Sequence, residues 1–369
     1  MRLLIAGGGT GGHLYPGMAV AEEVVRRGGQ VQFVGTARGL EARAVPAAGY
    51  PLELLEVSGL KRMGLMAVLR GLFRLPRAFF RSLSILRRFR PDVVLGVGGY
   101  ASGPMVLAAA LWRYPTAIQE QNSVPGITNR ILSRLVRVVL VAFDEARRSF
   151  PAGKIEIIGN PVRSKLVATL TADASNGEPS AAPSLLVVGG SQGARAVNDL
   201  VLAAVEVLAK NSSMPVVVHQ TGPSDIDRCR ERYRALCVLD RVEARPFIDD
   251  MATEYHRASL VVARAGALTL AELAIAGRPA ILIPLPTAAD DHQSKNAARF
   301  AQAGAAIVLN QRTVTGVELA QLLGGLLADS GRRQAMATAM RSLARPKAAA
   351  EIVDRLERLT APPRAANRQ

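Results

Sequence analysis

The sequence predicts an α/β fold with two Rossmann-like domains in tandem, each built on a parallel sheet, and the cleft between them as the expected ligand site. Three observations lead there. Short apolar runs alternate with amphipathic helical stretches, the arrangement that covers a parallel sheet on both faces. The alternation restarts midway along the chain, and glycine-rich turns recur where apolar runs give way to helices. A length of 369 residues also exceeds an average domain, so two are expected.

In chain order, Arg2–Ala6 and Val31–Gly35 read as strands with a helix at Leu14–Arg27 between them. Strands follow at Val93–Gly96, Thr116–Gln119, Arg137–Ala142 and Ile155–Ile158, and helices at Pro104–Trp112 and Ile127–Leu135. The second series has strands at Leu185–Val188, Val216–Gln220, Leu260–Ala263, Ala280–Pro284 and Ala306–Leu309, with a helix near Ala194–Lys210 and others between. Thr171–Ser184, rich in Ser, Ala, Pro and Asn, reads as a loop. The break falls near Asn160-Pro161. This gives domains over 1–161 and 162–345, a C-terminal helix within 346–360 and a flexible tail at 361–369.

Hydrophobic residues make up 49% of the chain, which supplies cores and excludes a disordered class. The two cysteines, Cys229 and Cys237, have no CxxC or metal spacing and read as reduced thiols. The apolar run Leu3–Ala6 is a buried strand rather than a signal peptide, and no stretch reaches the roughly 18 apolar residues that span a bilayer. A soluble or peripheral protein is expected.

The net charge is +16, and the excess is uneven: residues 1–160 hold 21 Lys/Arg against 10 Asp/Glu, the remainder 25 against 20. Within 60–90 stand Lys61, Arg62, Arg70, Arg74, Arg77, Arg81, Arg87, Arg88 and Arg90, with no acidic residue and with Leu and Phe interleaved at helical spacing. Such a segment suits an interfacial helix on anionic lipid, and a solvated basic face over an ordinary core helix is the plainer alternative. Nucleic acid is not expected as a partner, because aromatic residues are only 4% and no nucleic-acid motif occurs.

Gly7-Gly8-Gly9-Thr10-Gly11-Gly12-His13 joins the first strand to the first helix. Glycines there let a ligand approach bare backbone amides, and the helix N-terminus favours an anion such as phosphate. The spacing departs from the dinucleotide fingerprint, and no acid ends the second strand at Val34-Gly35. Gly98-Gly99-Tyr100-Ala101-Ser102-Gly103-Pro104 and Gly189-Gly190-Ser191-Gln192-Gly193-Ala194 are two further loops of this kind. Tight packing turns are the alternative reading. His13 sits at the tip of the first loop, where the positive end of a helix favours the neutral imidazole that can serve as a base.

The motifs GGGTGGH, GVGGYASGP, QEQNSVPGITN, GNPVR, GGSQGA, FIDDM, GALTLAE and PLPTAADDHQSKNA occur in this order from Arg2 to about Arg345. In them the chain resembles the MurG family of UDP-N-acetylglucosamine transferases (glycosyltransferase family 28), which make lipid II in peptidoglycan synthesis. The resemblance implies a GT-B fold, with the acceptor and the membrane on the N-terminal domain, the UDP-sugar donor on the C-terminal one, and the last helix crossing back. It implies donor contacts at Ser191 for phosphate, Arg163, the backbone of Ile248 for uracil, Ala267, Leu268, Thr269, Leu270 and Ala271, Glu272 for the ribose hydroxyls, and Gln293 for N-acetylglucosamine. Thr10, Gly11, Gly12 and Asn122 complete the donor set, and Gly99, Tyr100 and Asn129 are implied for the acceptor. Arg264, just before the Ala267 helix, is expected near the site. Where many relatives carry His before the Glu-Gln-Asn run, this chain has Gln119, which leaves His13 and Glu120 as the candidates for the acceptor proton.

The implied reaction is an inverting transfer from UDP-GlcNAc to the C4 hydroxyl of MurNAc-pentapeptide-pyrophosphoryl-undecaprenol, lipid I. His13 is the base of choice, and helix N-termini hold the leaving UDP. No metal site and no required cofactor are expected; Asp249-Asp250 and Asp290-Asp291 read as turn or cap residues. The expected location is peripheral, at the cytoplasmic face of the cell membrane, with the anionic surface met through 60–90 and cell-wall and division proteins as partners. The rivals are a related transferase acting on diacylglycerol, a nicotinamide-dependent oxidoreductase and a non-enzymatic basic binder.

Overall fold

A computed structural model describes residues 1–57, 65–172, 183–190, 192–211 and 214–360, with side chains for all of these except 65–75 and 289. Two compact units result: Met1–Ser164 together with the chain from Pro346 onward, and Lys165–Arg345. The division falls after Ser164 rather than at Pro161. The expected tail at 361–369 lies outside the described residues.

Unit 1 contains β1 (Arg2–Gly7), α1 (Gly11–Arg26), β2 (Gln30–Gly35), α2 (Glu41–Ala47), β3 (Leu52–Leu54), α3 (Leu65–Phe89), β4 (Val93–Gly98) and α4 (Ser102–Leu111). It continues through β5 (Thr116–Glu120), α5 (Ile127–Leu132), β6 (Val138–Val141) and β7 (Ile155–Ile157), to which α14 (Ala348–Thr360) is added from the far end of the chain. The strands pair in parallel in the order β3-β2-β1-β4-β5-β6-β7. Period-2 alternation divides β1 between two cores: Leu3 and Ile5 join a cluster with α1 and α14, while Leu4 and Ala6 join one with α3 and α4. Ala348, Ile352, Val353 and Leu356 lie on one face of α14, all fully buried, which is why that helix stays with this unit.

After α6 (Ser164–Ala172), unit 2 runs β8 (Ser184–Val188), α7 (Arg195–Lys210), β9 (Val216–Gln220), α8 (Ile226–Ala235), β10 (Val242–Arg245), α9 (Met251–Arg257) and β11 (Leu260–Ala263). It closes with α10 (Ala267–Ala276), β12 (Ala280–Leu282), α11 (His292–Gln302), β13 (Ala306–Val308), α12 (Gly316–Ala328) and α13 (Ser330–Ser342). Its parallel sheet has the order β10-β9-β8-β11-β12-β13.

Two strands that the sequence pattern does not reveal, β3 and β10, are the outer members of their sheets. Edge strands are short and tolerate charge, and Leu-Glu-Leu and Val-Glu-Ala-Arg carry no continuous apolar run. Helix α1 begins at Gly11, earlier than the apolar periodicity indicates, so His13 stands in its first turn rather than in a loop.

Candidate active site

In each sheet the strand order reverses once, between β1 and β4 in unit 1 and between β8 and β11 in unit 2. Loops leaving the C-terminal ends of such neighbouring strands diverge to opposite faces and open a crevice, which is where open parallel sheets bind ligands. The glycine loops follow β1, β4 and β8, three of these four strands.

In unit 1 the loops after β1 and β4 are laced together by the Gly8 amide, which donates to Gly98 O at 3.2 Å. Gly99 has φ +83, and a side chain there would strike the Gly8 backbone. Glu41, 1% exposed at the head of α2, accepts from the Gly9 amide at 2.7 Å and from the Thr36 amide and hydroxyl, each at 2.8 Å. This carboxylate, which sequence reasoning misses, braces the first loop from behind. Its one signal is an acid that follows Gly35-Thr36 by a few residues, beyond the strand end where a nucleotide-binding acid is expected. Since the Gly8 and Gly9 amides are engaged, the anion-binding capacity of the loop narrows to Thr10, Gly11 and Gly12 at the start of α1, which has no acid in its first turn and no side-chain cap. The Tyr15 ring covers Gly11, and the Arg163 guanidinium stacks on that ring at 5.8 Å, so GNPVR contributes a cation beside this helix start.

His13 is partly exposed, with Nδ1 3.0 Å from Gln121 Oε1. The two candidates for the proton differ sharply. Glu120 is 1% exposed; its Oε1 accepts from the Asn122 amide at 3.0 Å, and its Oε2 from the Gly126 amide at 3.2 Å and from Asn129 Nδ2 at 2.8 Å. A carboxylate so enclosed organises the turn before α5 and presents no lone pair outward. Asn122 bonds Glu120 through its side chain as well, and Asn129 is 2% exposed with its amide nitrogen turned to Glu120. Asn129 is thus drawn into the same scaffold through its Nδ2, while Tyr100 is 55% exposed. Gln119 is buried and donates to Asn160 Oδ1 at 3.1 Å.

In unit 2, Ser191 lies outside the described residues. Around it, Gly193 has φ +75, and a side chain there would strike Thr221 O, so only glycine lets this loop lie against the end of β9. Helix α7 follows with neither a side-chain cap nor an acid in its first turn, and α10 likewise. Arg264, after β11, is 9% exposed; Nη1 donates to the carbonyls of Ile283 at 2.9 Å and Pro284 at 3.2 Å, and burial lowers its pKa. A buried guanidinium and two uncapped helix starts make the C-terminal edge of β8 and β11 strongly attractive to a diphosphate.

The remaining residues expected to contact a nucleotide sugar have the following surroundings. Ile248 is 2% exposed and its amide donates to Gln220 Oε1 at 3.0 Å, so in this state only its carbonyl is left to address a base. Gln220 Nε2 in turn donates to Gly190 O at 2.9 Å, linking that amide to the glycine loop. Glu272 on α10 accepts from the Tyr255 hydroxyl at 3.0 Å, which orients its carboxylate. Gln293 accepts from the Leu285 amide at 2.9 Å through Oε1, leaving its NH2 to point elsewhere. Ala267 and Leu270 are buried, and Leu268, Thr269 and Ala271 partly exposed, along the first turns of α10. Asp250 caps α9 through the Thr253 amide, and Asp290 and Asp291 sit in a left-handed turn before α11. Among the described residues no cluster of His, Cys, Asp and Glu could hold a metal ion.

In the basic segment, 58–64 lie outside the described residues, as do the side chains of Arg70 and Arg74. Two of the arginines find an acid outside the segment: Glu53 of β3 pairs with Arg81 at 3.0 Å and also with Arg88. The acid comes from outside the segment, so only tertiary structure reveals it. Beside these arginines Phe80 is 67% exposed and Trp112 45%. No helix among the described residues is long and apolar enough to cross a membrane.

Comparison with known proteins agrees with this arrangement. Residues 3–141 match the glycosyltransferase family 28 N-terminal domain and residues 184–355 its C-terminal domain. A protein of Anaeromyxobacter dehalogenans (strain 2CP-C), named UDP-N-acetylglucosamine--N-acetylmuramyl-(pentapeptide) pyrophosphoryl-undecaprenol N-acetylglucosamine transferase, is 51% identical over 96% of this chain and 92% of its own. A Myxococcus xanthus protein of the same name is 50% identical over 96% and 92%. The crystal structure of Acinetobacter baumannii MurG superposes with a TM-score of 0.77 at 32% identity, covering 97% of this chain and 99% of that one. The calicheamicin glycosyltransferase CalG4, at 19% identity and a TM-score of 0.67 over 98% and 99% of the two chains, shares the fold. The chain belongs to glycosyltransferase family 28, on its MurG branch.

Proposed function

We propose that the protein transfers N-acetylglucosamine from UDP-N-acetylglucosamine to the C4 hydroxyl of MurNAc-pentapeptide-pyrophosphoryl-undecaprenol, giving lipid II for peptidoglycan synthesis, by a single inverting displacement. The observation that carries this reading is that each unit has its own kind of switch point: that of unit 1 presents a partly exposed imidazole, that of unit 2 a buried cation and uncapped helix starts. The names of relatives about 50% identical supply donor and acceptor and disfavour a diacylglycerol acceptor.

In this mechanism the acceptor hydroxyl attacks the anomeric carbon while His13 takes its proton. The bond to the UDP oxygen breaks, and the charge that appears on the diphosphate meets the amides at the start of α7, the Ser191 loop and the positive end of α10. Thr10, Gly11, Gly12 and Arg163 add positive potential in unit 1. Glu272, held by Tyr255, accepts from ribose hydroxyls, and the Gln293 amide addresses the sugar. These groups stabilise the leaving diphosphate without a required metal ion.

The site of action is the cytoplasmic face of the membrane, where lipid I keeps its tail. Exposed Phe80 and Trp112 stand with Arg87 and Arg88, a mixture suited to an anionic interface. Association with cell-wall and division proteins belongs to the same reading and is checked by co-purification from membranes. The decisive experiment incubates radiolabelled UDP-N-acetylglucosamine with a lipid I analogue and, separately, with diacylglycerol. Labelled disaccharide product with the first alone is the expected result; no transfer to it, with the protein folded, would sink the proposal.

A further inference from the structure

The carboxamide of Gln121 is 1% exposed, and its surroundings settle which end of it faces His13. Nε2 donates to Val97 O at 2.9 Å, with Gln119 O at 3.4 Å and Gln119 Oε1 also within reach. All three are oxygens, and two are backbone carbonyls that can only accept. Turning the amide over would set Oε1 against this group and leave a buried carbonyl pair unbonded. The neighbours cannot yield: Gln119 Nε2 is held by Asn160 Oδ1 at 3.1 Å, and Asn160 Nδ2 donates to Gln121 O at 3.0 Å. The oxygen facing His13 Nδ1, 3.0 Å away, is therefore Oε1, and an amide oxygen only accepts. The Nδ1 edge of the ring also lies against Gly98, where a side chain would strike Nδ1, so no second group reaches that nitrogen from the β4 loop.

We infer that Gln121 is a positioning residue that keeps the proton of neutral His13 on Nδ1 and so leaves the lone pair on Nε2, the nitrogen with no partner among the described residues. Neutral imidazole has one N–H, so fixing it at Nδ1 defines Nε2 as the atom that accepts a proton. Free imidazole side chains prefer the opposite tautomer. Without Gln121 the lone pair turns inward toward Gly98 and an N–H faces outward, where it cannot take a proton. The inference rests on the reading of His13 as the base, and it adds what makes that base competent. The motif Gln119-Glu120-Gln121-Asn122 then has three jobs on adjacent residues: Gln119 locks the amide, Gln121 sets the tautomer, and Glu120 shapes the turn.

The test is made on the full-length protein labelled with 15N-histidine. Only four histidines occur, and His13 is assigned by the signal lost in His13→Gln. A long-range 1H–15N correlation reports which ring nitrogen carries the proton. The expected result for the native protein is Nδ1–H. In Gln121→Met the proton moves to Nε2, and kcat falls at least about tenfold, toward the roughly 10⁴-fold loss that a wrong tautomer causes in a serine protease, while KM for UDP-N-acetylglucosamine stays within about twofold. Gln121→Glu keeps an oxygen facing Nδ1 in either protonation state, so it retains Nδ1–H and turns over faster than Gln121→Met. Nε2–H in the native protein, an unchanged tautomer or kcat in Gln121→Met, or Gln121→Glu no better than Gln121→Met overturns the assignment. His13→Ala separates the two levels. Normal turnover there overturns the base reading, and Gln121's part in the reaction with it. An inactive His13→Ala beside a normal Gln121→Met overturns Gln121 alone.

Discussion

The two units each place a histidine close to a switch-point loop and use it in opposite ways. In unit 1 an amide pinned by a backbone carbonyl accepts from His13 Nδ1 and leaves Nε2 unpartnered among the described residues. In unit 2 the same device recurs: Asn198 Nδ2 donates to Thr221 O at 2.9 Å and to Asp225 Oδ2 at 2.7 Å, so its oxygen faces His219 Nε2 at 3.1 Å. There the other nitrogen, Nδ1, is also taken, by the Tyr233 hydroxyl at 2.7 Å. His219 is fully buried, and burial pushes its pKa down to about 3. It braces the end of β9, against which Gly193 lies, and has nothing left to offer a substrate. The lesson is that a histidine's role follows from which lone pair remains open, and residue type or nearness to a glycine loop does not decide it.

The contrast can be broken most directly at His13. His13→Ala should lower kcat by about 10²–10⁴-fold, while the unfolding free energy falls by about 1–3 kcal/mol, because the buried Gln121 Oε1 loses its partner. Near-normal turnover would place the base elsewhere.

His219 should show the reverse, an effect on stability rather than on chemistry. Its folded pKa lies below the ordinary value of 6.5, so the unfolded chain takes up a proton that the folded chain refuses. Its contribution is complete above about pH 6.5 and erodes as pH falls toward about 3, by up to roughly 5 kcal/mol. Asp225 acts in a lower window: hydrogen bonds from Arg228 hold it at about 2, so its contribution is lost only below about pH 4. Chemical denaturation of the wild type and of His219→Asn across pH 4–7 checks this; equal slopes for the two would remove His219 as the acid-sensitive group.

A smaller effect is expected at Tyr255, buried behind Glu272. Tyr255→Phe removes one hydrogen bond to a carboxylate and should raise KM for UDP-N-acetylglucosamine about three- to tenfold with kcat within about twofold. A fall in kcat with KM unchanged would contradict a ground-state ribose contact for Glu272. The smallest change is expected on chelation. With EDTA, turnover should stay within about twofold if helix starts and arginines hold the leaving diphosphate; a collapse restored by Mg²⁺ would show that a metal is needed.

Much of the fold is legible in the amino-acid sequence. The strands next to each switch point are buried on both faces and read as unbroken apolar runs, as in Leu185–Val188 and Leu260–Ala263. The edge strands β3 and β10 are not legible, since an edge needs only alternate apolar residues. At the site, the glycines and His13 stand out by spacing. Glu41, Gln121, Gln220 and Tyr255 do not, because each acts on a loop that is distant in sequence, and a buried Gln or Glu looks from sequence like any solvated residue.

The order of apolar runs, the glycine turns and the charge excess near 60–90 are local properties, and they alone specified two parallel sheets, loops able to meet an anion, and a cationic face. Tertiary structure decided which of the available groups remain free. Glu120 is consumed in a turn, the Ile248 amide is occupied by Gln220, Glu53 compensates Arg81 and Arg88, and one ring nitrogen of His13 has no partner among the described residues. The reason is that every buried donor or acceptor must find a partner, and that accounting closes only when residues far apart in the chain come within hydrogen-bonding distance.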